Sequence, residues 1–198
     1  MGGLSYGQSE YWDRRYTEQQ ELHYEWFPEA IEKMIAVVKG QKPGPLLELG
    51  CGSSVLAVRL FQDTACRPIL AVDISQAAIQ KCKSSAPRAS ELTFTTMDCC
   101  NLEVPDNSWD FVIDKGTMDA VDCADKTAAM VREVARVLRP GGHFLMASCR
   151  EPLQRTAQLQ QFFTMKDFTE MWGSNNQRTP CPDVYMYHFV PKEADPGP

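Results

Sequence analysis

The chain has 198 residues, 43% hydrophobic and 23% charged, with a formal net charge of −6. That suits one globular domain with a substantial core, while the acidic balance disfavours non-specific nucleic-acid binding, which needs Lys and Arg in excess. No apolar run approaches the roughly 18 residues of a membrane span.

Residues 1–16 carry acids and no apolar signal core, so no secretory or organelle-targeting peptide is expected there. Tyr6 stands where a myristoylation signal wants Ser or Thr, so lipidation is not expected either. Trp12, Tyr16, Trp26 and Phe27 precede any strand-like run. Trp12 and Tyr16 lie four apart, which places them on one helix face, a pattern that by itself packs a helix on the domain. The acids nearby, Glu18, Glu21, Glu25, Glu29 and Glu32, read as a solvated face.

A helix is expected over 28–38 and a strand over 45–49, which runs into Gly50-Cys51-Gly52-Ser53-Ser54 and a helix over 54–62. A strand over 68–72 then meets Asp73, followed by a helix over 75–84. The strand over 92–96 leads into Met97-Asp98-Cys99-Cys100, and the strand over 110–114 into Lys115-Gly116-Thr117, with Asp119 close behind. The helix over 126–138 puts Met130, Val134, Val137 and Leu138 on one face and stops at Arg139-Pro140-Gly141-Gly142 before a strand over 143–148. After a polar segment over 150–161, β-rich runs over 162–172 and 184–190 pair as a hairpin through the turn-rich 173–183.

Strand–helix alternation at this spacing implies parallel pairing with right-handed crossovers. The expected architecture is a doubly wound, mostly parallel, seven-stranded α/β sheet of Rossmann-like form with a C-terminal antiparallel hairpin. It is read as one domain: an N-terminal segment (1–40), a core sheet (41–192) and a flexible tail (193–198). The eight cysteines form no Cys-x-x-Cys pair and the three histidines are scattered, so no metal site is expected. The cysteines read as small core hydrophobes in a reducing compartment, cytoplasmic or nuclear.

Ligands of open parallel sheets bind at the carboxyl ends of the strands. Gly50 and Gly52 follow a strand and open a helix, and Asp73 lies 21 residues beyond Gly52 at the end of the next strand. That is the spacing of a nucleoside site whose acid takes the ribose hydroxyls. A pyrophosphate prefers a third glycine, but this loop continues Ser53-Ser54-Val55, and Glu48 would repel it. S-adenosylmethionine has no phosphate. Its cationic methionine end suits Glu48, and backbone N–H groups at the helix start suit its carboxylate. Asp98 and the Cys99 backbone are placed to meet the adenine amino group.

With these motifs the sequence resembles the class I S-adenosylmethionine-dependent methyltransferases: Glu48-Leu49-Gly50-Cys51-Gly52, Asp73, Asp98 and Leu138-Arg139-Pro140-Gly141-Gly142 carry the likeness. Glu10-Tyr11-Trp12-Asp13-Arg14-Arg15-Tyr16, Tyr24-Glu25-Trp26-Phe27 and Asp114-Lys115-Gly116-Thr117-Met118-Asp119-Ala120 resemble the methyltransferase-like subfamily of protein lysine methyltransferases. That group includes enzymes acting on translation elongation factor 1-alpha, which the N-terminal segment matches most, and on citrate synthase. The resemblance implies that Trp12, Tyr16, Trp26, Gly50, Asp73, Asp98, Cys99 and Lys115 contact the cofactor. It also implies that residues 1–40 fold over the methionine end, where aromatic faces favour a sulfonium.

A lysine acceptor must lose its proton before it attacks. Asp114 or Asp119 is therefore expected to orient the amine, with Lys115 placing cofactor or backbone. Asp119 also reads as an N-cap or loop acid. The expected partner is a basic, elongation-factor-like protein, met by a monomer. A small-molecule or RNA methyltransferase, a non-catalytic binding module on the same fold and, more distantly, a dehydrogenase are the rival readings.

Overall fold

In the computed structural model, residues 6–171 and 184–192 are described. Residues 1–5, Trp172, the proposed turn at 173–183 and the tail at 193–198 lie outside them. Seven strands form one sheet: β1 (Leu46–Leu49), β2 (Ile69–Asp73), β3 (Leu92–Thr96), β4 (Trp109–Lys115), β5 (Leu138–Ser148), β6 (Phe163–Met171) and β7 (Val184–Pro191). Their order is β3-β2-β1-β4-β5-β7-β6. The first five are parallel, and β7 runs antiparallel between β5 and β6. The chain order reverses beside β1, which opens the crevice where such sheets bind ligands.

Helices cover both faces. α2 (Pro28–Lys39), α3 (Leu56–Asp63) and α4 (Gln76–Ser85) pack on one; α5 (Thr117–Asp122), α6 (Thr127–Val137) and α7 (Pro152–Leu159) pack on the other. α1 (Ser9–Glu18) precedes them and buries only Tyr16. α2 shows how pattern becomes packing. Pro28 opens it with a preset φ, and Ala30, Ile31, Met34, Ile35 and Val38 line its inner face. Removing a side chain such as Met34, fully buried there, costs about 2–5 kcal/mol by transfer and cavity terms.

Strand alternation decides where each polar residue goes. In β4, Phe111 and Ile113 enter the core under α2 and α3, and Val112 the core under α5 to α7. Lys115 therefore points to the α2 side and Asp114 to the α5 side. β1 follows the same rule: Leu47 and Leu49 face α5 to α7, so Glu48 shares the α2–α3 side with Leu46.

Two helices depart from the sequence reading. Residues 117–122, where the sequence reading places no helix, form α5, and part of the polar 150–161 segment forms α7. β5 also begins five residues earlier than expected, because Leu138 pairs with Trp109 before a register shift.

Candidate functional site

A cavity of about 380 Å³ opens at the carboxyl ends of the parallel strands. From the β2–β3 side it is lined by Asp73, Met97, Asp98 and Cys99; at β1 by Gly50; and from the β4–β5 side by Lys115, Gly116, Thr117, Asp119 and Cys149. Trp12, Tyr16, Trp26 and Phe27 from the N-terminal segment line it as well. Strand order therefore separates the acids. Asp73 and Asp98 lie at one end, and Asp119 lies at the other.

The Gly50 turn builds the floor. Gly50 has φ +60, and a Cβ there would overlap Thr117 Oγ1. The Gly52 N–H donates to Asp73 Oδ2 at 2.7 Å, and the Ser75 N–H donates to Asp73 Oδ1 at 2.8 Å. Burial raises the Asp73 carboxyl to about 6 against the pull of these two bonds. Each oxygen keeps acceptor capacity toward the cavity. Asp98 Oδ1 accepts from the Cys100 N–H at 2.8 Å, which shapes the turn after β3.

The N-terminal segment is stitched over this floor. Trp12 and Tyr16 stack with centroids 5.9 Å apart, and the Arg15 guanidinium lies 5.0 Å from the Trp26 ring. Asp13 Oδ1 accepts from Ser75 Oγ at 2.6 Å. Gln19 Nε2 and the Tyr24 N–H each donate to Ser53 Oγ at 3.1 Å. Glu25 accepts from Ser54 Oγ at 2.8 Å and from the Val55 N–H at 2.7 Å. Lys115 Nζ, almost fully buried, pairs with Glu25 Oε2 at 2.9 Å and donates to the Trp26 carbonyl at 2.7 Å. The two serines that replace a third glycine therefore hold the cover. Glu25, read as part of a solvated face, is a tether.

Three expected site residues, Gly52, Asp114 and Glu48, do not line the cavity; Gly52 lies behind Tyr16 and gives its N–H to Asp73. Asp114 is fully buried, and its oxygens accept from the Thr117 and Met118 N–H groups at 2.7 and 3.1 Å, which fixes the start of α5. Glu48 lies in the α2–α3 layer with Oε2 buried and unpartnered among the described residues. Lys115 does line the cavity, but its ammonium is committed to Glu25 and Trp26. Asp119 remains as the acid at the β4–β5 end. Its Oδ1 accepts from Ser148 Oγ at 2.6 Å and from Arg155 Nη2, and its Oδ2 from the Cys149 N–H at 2.9 Å.

Sequence reasoning missed Ser53, Ser54, Glu25, Ser148 and Arg155. The hydroxyls in the glycine loop could have pointed to a partner segment, because a buried hydroxyl needs one. Arg155 gave no such signal in a polar stretch.

Burial raises the Glu48 carboxyl to about 8, Asp114 to about 7 and Asp73 to about 6, from ordinary values of 4.5, 3.8 and 3.8. Each binds its proton more tightly folded than unfolded. Their contribution is complete below the unfolded values of about 4 and is lost as pH climbs from there to about 8. Thermal melts should therefore show a midpoint that falls across this window. Glu48→Gln should flatten the fall and raise the midpoint by a few degrees at the alkaline end. A wild-type midpoint that is constant or rises across the window contradicts this.

A family profile described as a methyltransferase domain matches residues 41–189. The human "eEF1A lysine and N-terminal methyltransferase" is 36% identical over 151 residues, covering 72% of this chain and 22% of its own length. The chain thus spans about a fifth of that relative. The mitochondrial citrate synthase-lysine N-methyltransferase of Danio rerio is 30% identical over 177 residues, covering 76% of this chain and 70% of its own. In fold, the chain is similar to the N-methyltransferase NodS from Bradyrhizobium japonicum WM9, solved in complex with S-adenosyl-l-homocysteine. The TM-score is 0.72 at 15% identity, over 93% of this chain and 98% of that one.

Proposed function

The chain belongs to the methyltransferase-domain family, as an S-adenosylmethionine-dependent enzyme, and on that premise we propose that it methylates a lysine side chain of a protein substrate. A basic translation elongation factor of the eEF1A type is the first candidate, on the strength of the substrate in the name of the human relative given above.

The cavity fits the cofactor. Its volume of about 380 Å³ is in the range of small-molecule sites. Asp73 lines it beside Gly50, with acceptor capacity left on both oxygens. The Trp26 indole N–H is buried without a partner among the described residues, a donor left for a ligand's carboxylate. When bound, the cofactor supplies an electrophilic methyl whose leaving group is a neutral thioether. Asp73, Asp98 and the Cys99 backbone would hold its nucleoside end, and Tyr16, Trp12 and Trp26 would exclude water from the methionine end.

One observation supports an amine acceptor. The β4–β5 end of the cavity presents a single fixed carboxylate, Asp119, in a cavity also walled by Trp12, Tyr16, Trp26 and Phe27. A carboxylate accepts N–H bonds and orients an incoming ammonium. Apolar surroundings disfavour the charged amine and promote its deprotonation before attack. Asp119 is an orienting group here. Its charge is already balanced by Arg155, so proton removal falls to solvent at the cavity mouth.

The reading is tested by incubating the chain with labelled S-adenosylmethionine and fractionated lysate or purified elongation factor, then mapping the label. Label on a lysine is the expected result; label confined to small molecules or RNA overturns it. A reducing cytoplasmic or nuclear setting fits the seven described cysteines, all free. No helix among the described residues is long and apolar enough to cross a membrane.

Lys115→Met should separate cover from floor. It leaves Glu25 partly buried without its cation, at a cost of about 3 kcal/mol. Calorimetry should show cofactor affinity about tenfold weaker, because the Trp26 carbonyl loses its anchor. Unchanged affinity would mean that the cover does not bear on binding.

A further inference from the structure

We propose that Arg155 is the positioning residue of the methyl-acceptor site, acting through Asp119; this rests on the reading of the cavity given above. Arg155 is the largest fully buried side chain among the described residues. A guanidinium is costly to bury unless every edge is paired. Here Nε donates to Ser148 Oγ at 2.9 Å, Nη1 to Asp122 Oδ2 at 2.7 Å and to Gln158 Oε1, and Nη2 to Asp119 Oδ1. Ser148, also fully buried, donates a hydrogen bond to Asp119 Oδ1 at 2.6 Å.

The arrangement leaves Asp119 with little freedom. A carboxylate has about four acceptor positions, and three are occupied by Ser148, Arg155 and the Cys149 N–H. The Cys149 thiol also lies within hydrogen-bond reach of this carboxylate, so a donor entering the cavity that Asp119 lines displaces only that weak S–H donor. Arg155 comes from α7, Asp119 and Asp122 from α5 and Ser148 from the end of β5, so one buried cation ties three elements into the acceptor wall. It lines no part of the cavity itself. Lysine in its place would keep the charge but could not present a planar fork to both acids and the serine.

The test compares Arg155→Lys, Asp119→Asn and the double variant in the full chain, measuring kcat and KM for the acceptor and S-adenosylhomocysteine affinity by calorimetry. Arg155→Lys should lower kcat about 30-fold, with cofactor affinity within about threefold of wild type. The double variant should be no slower than Asp119→Asn alone, since both changes remove one arrangement. Losses that multiply, or an Arg155→Lys enzyme with wild-type kcat, overturn the proposal. If Arg155→Lys does not fold, Arg155→Gln, which keeps planar N–H donors but removes the charge paired with Asp119, takes its place; a wild-type kcat there overturns it equally.

The cycle is run on whichever acceptor the wild-type chain labels, so an acceptor other than lysine sinks the lysine reading and leaves this test intact. A chain with no turnover is judged by Cys149, exposed beside Asp119 and held with its thiol pushed up to about 11 by burial and by that carboxylate. Arg155 pulls that thiol's pKa down while Asp119 pushes it up, so alkylation by iodoacetamide, followed by peptide mapping, should be several-fold slower at Cys149 in Arg155→Lys than in wild type. An unchanged rate overturns the proposal.

Discussion

Asp119→Asn is expected to lower kcat by about 100-fold while S-adenosylhomocysteine binds as before. Both halves follow from where the residue sits. Asp119 lies at the β4–β5 end of the cavity, across from Asp73 and Asp98, so the nucleoside half keeps its own acceptors. The carboxylate meets donors on both oxygens: Ser148 and Arg155 on one, the Cys149 N–H on the other. An amide must turn its NH2 toward one set, so a donor faces a donor and the group rotates away. Steady-state kinetics with calorimetry decides the matter. A parallel loss of cofactor affinity would place Asp119 in the cofactor site.

Gly50→Ala is the second large effect, and it should strike binding first. The position has φ +60, which costs an L-residue about 1–2 kcal/mol. The new methyl would also occupy the place of Thr117 Oγ1, which donates to the Leu49 carbonyl at 2.9 Å. Thr117 opens α5, so the displacement travels to Met118, Asp119 and the whole acceptor wall. Cofactor affinity should drop more than 100-fold, a change of about 3 kcal/mol. The thermal midpoint should fall by roughly 5–10 °C. An alanine variant that binds S-adenosylhomocysteine normally would show that this turn does not form the floor.

The parallel core was legible because each strand is a short apolar run followed by a helix with a clear inner face. Leu46-Leu47-Glu48-Leu49 and Phe111-Val112-Ile113 needed no tertiary information to be placed. Gly50, Gly52 and Asp73 were legible through spacing alone. Face assignment was harder. Buried parallel strands are apolar on both sides, so Glu48 and Asp114 carry no visible mark of which layer they enter. Their neighbours in space, Ala57 for Glu48 and the α5 backbone for Asp114, fix that. α5 is six residues long, too short for periodicity to register, and α7 buries only Arg155 and Leu159. A buried arginine in a polar stretch looks like surface until its two aspartates are found in space.

The cover and the floor of the cavity are held by different kinds of bond. The floor is the ragged end of a hydrogen-bonded sheet, continuous with both cores. The cover is a segment with a single buried residue in its helix, fastened by side-chain contacts and one ion pair. Lifting it is a local opening that leaves the sheet intact. How long a spent ligand stays, and how firmly the protein stays folded, are thus set by separate sets of residues. Evolution could retune the first at Ser53 or Ser54 with little effect on the second.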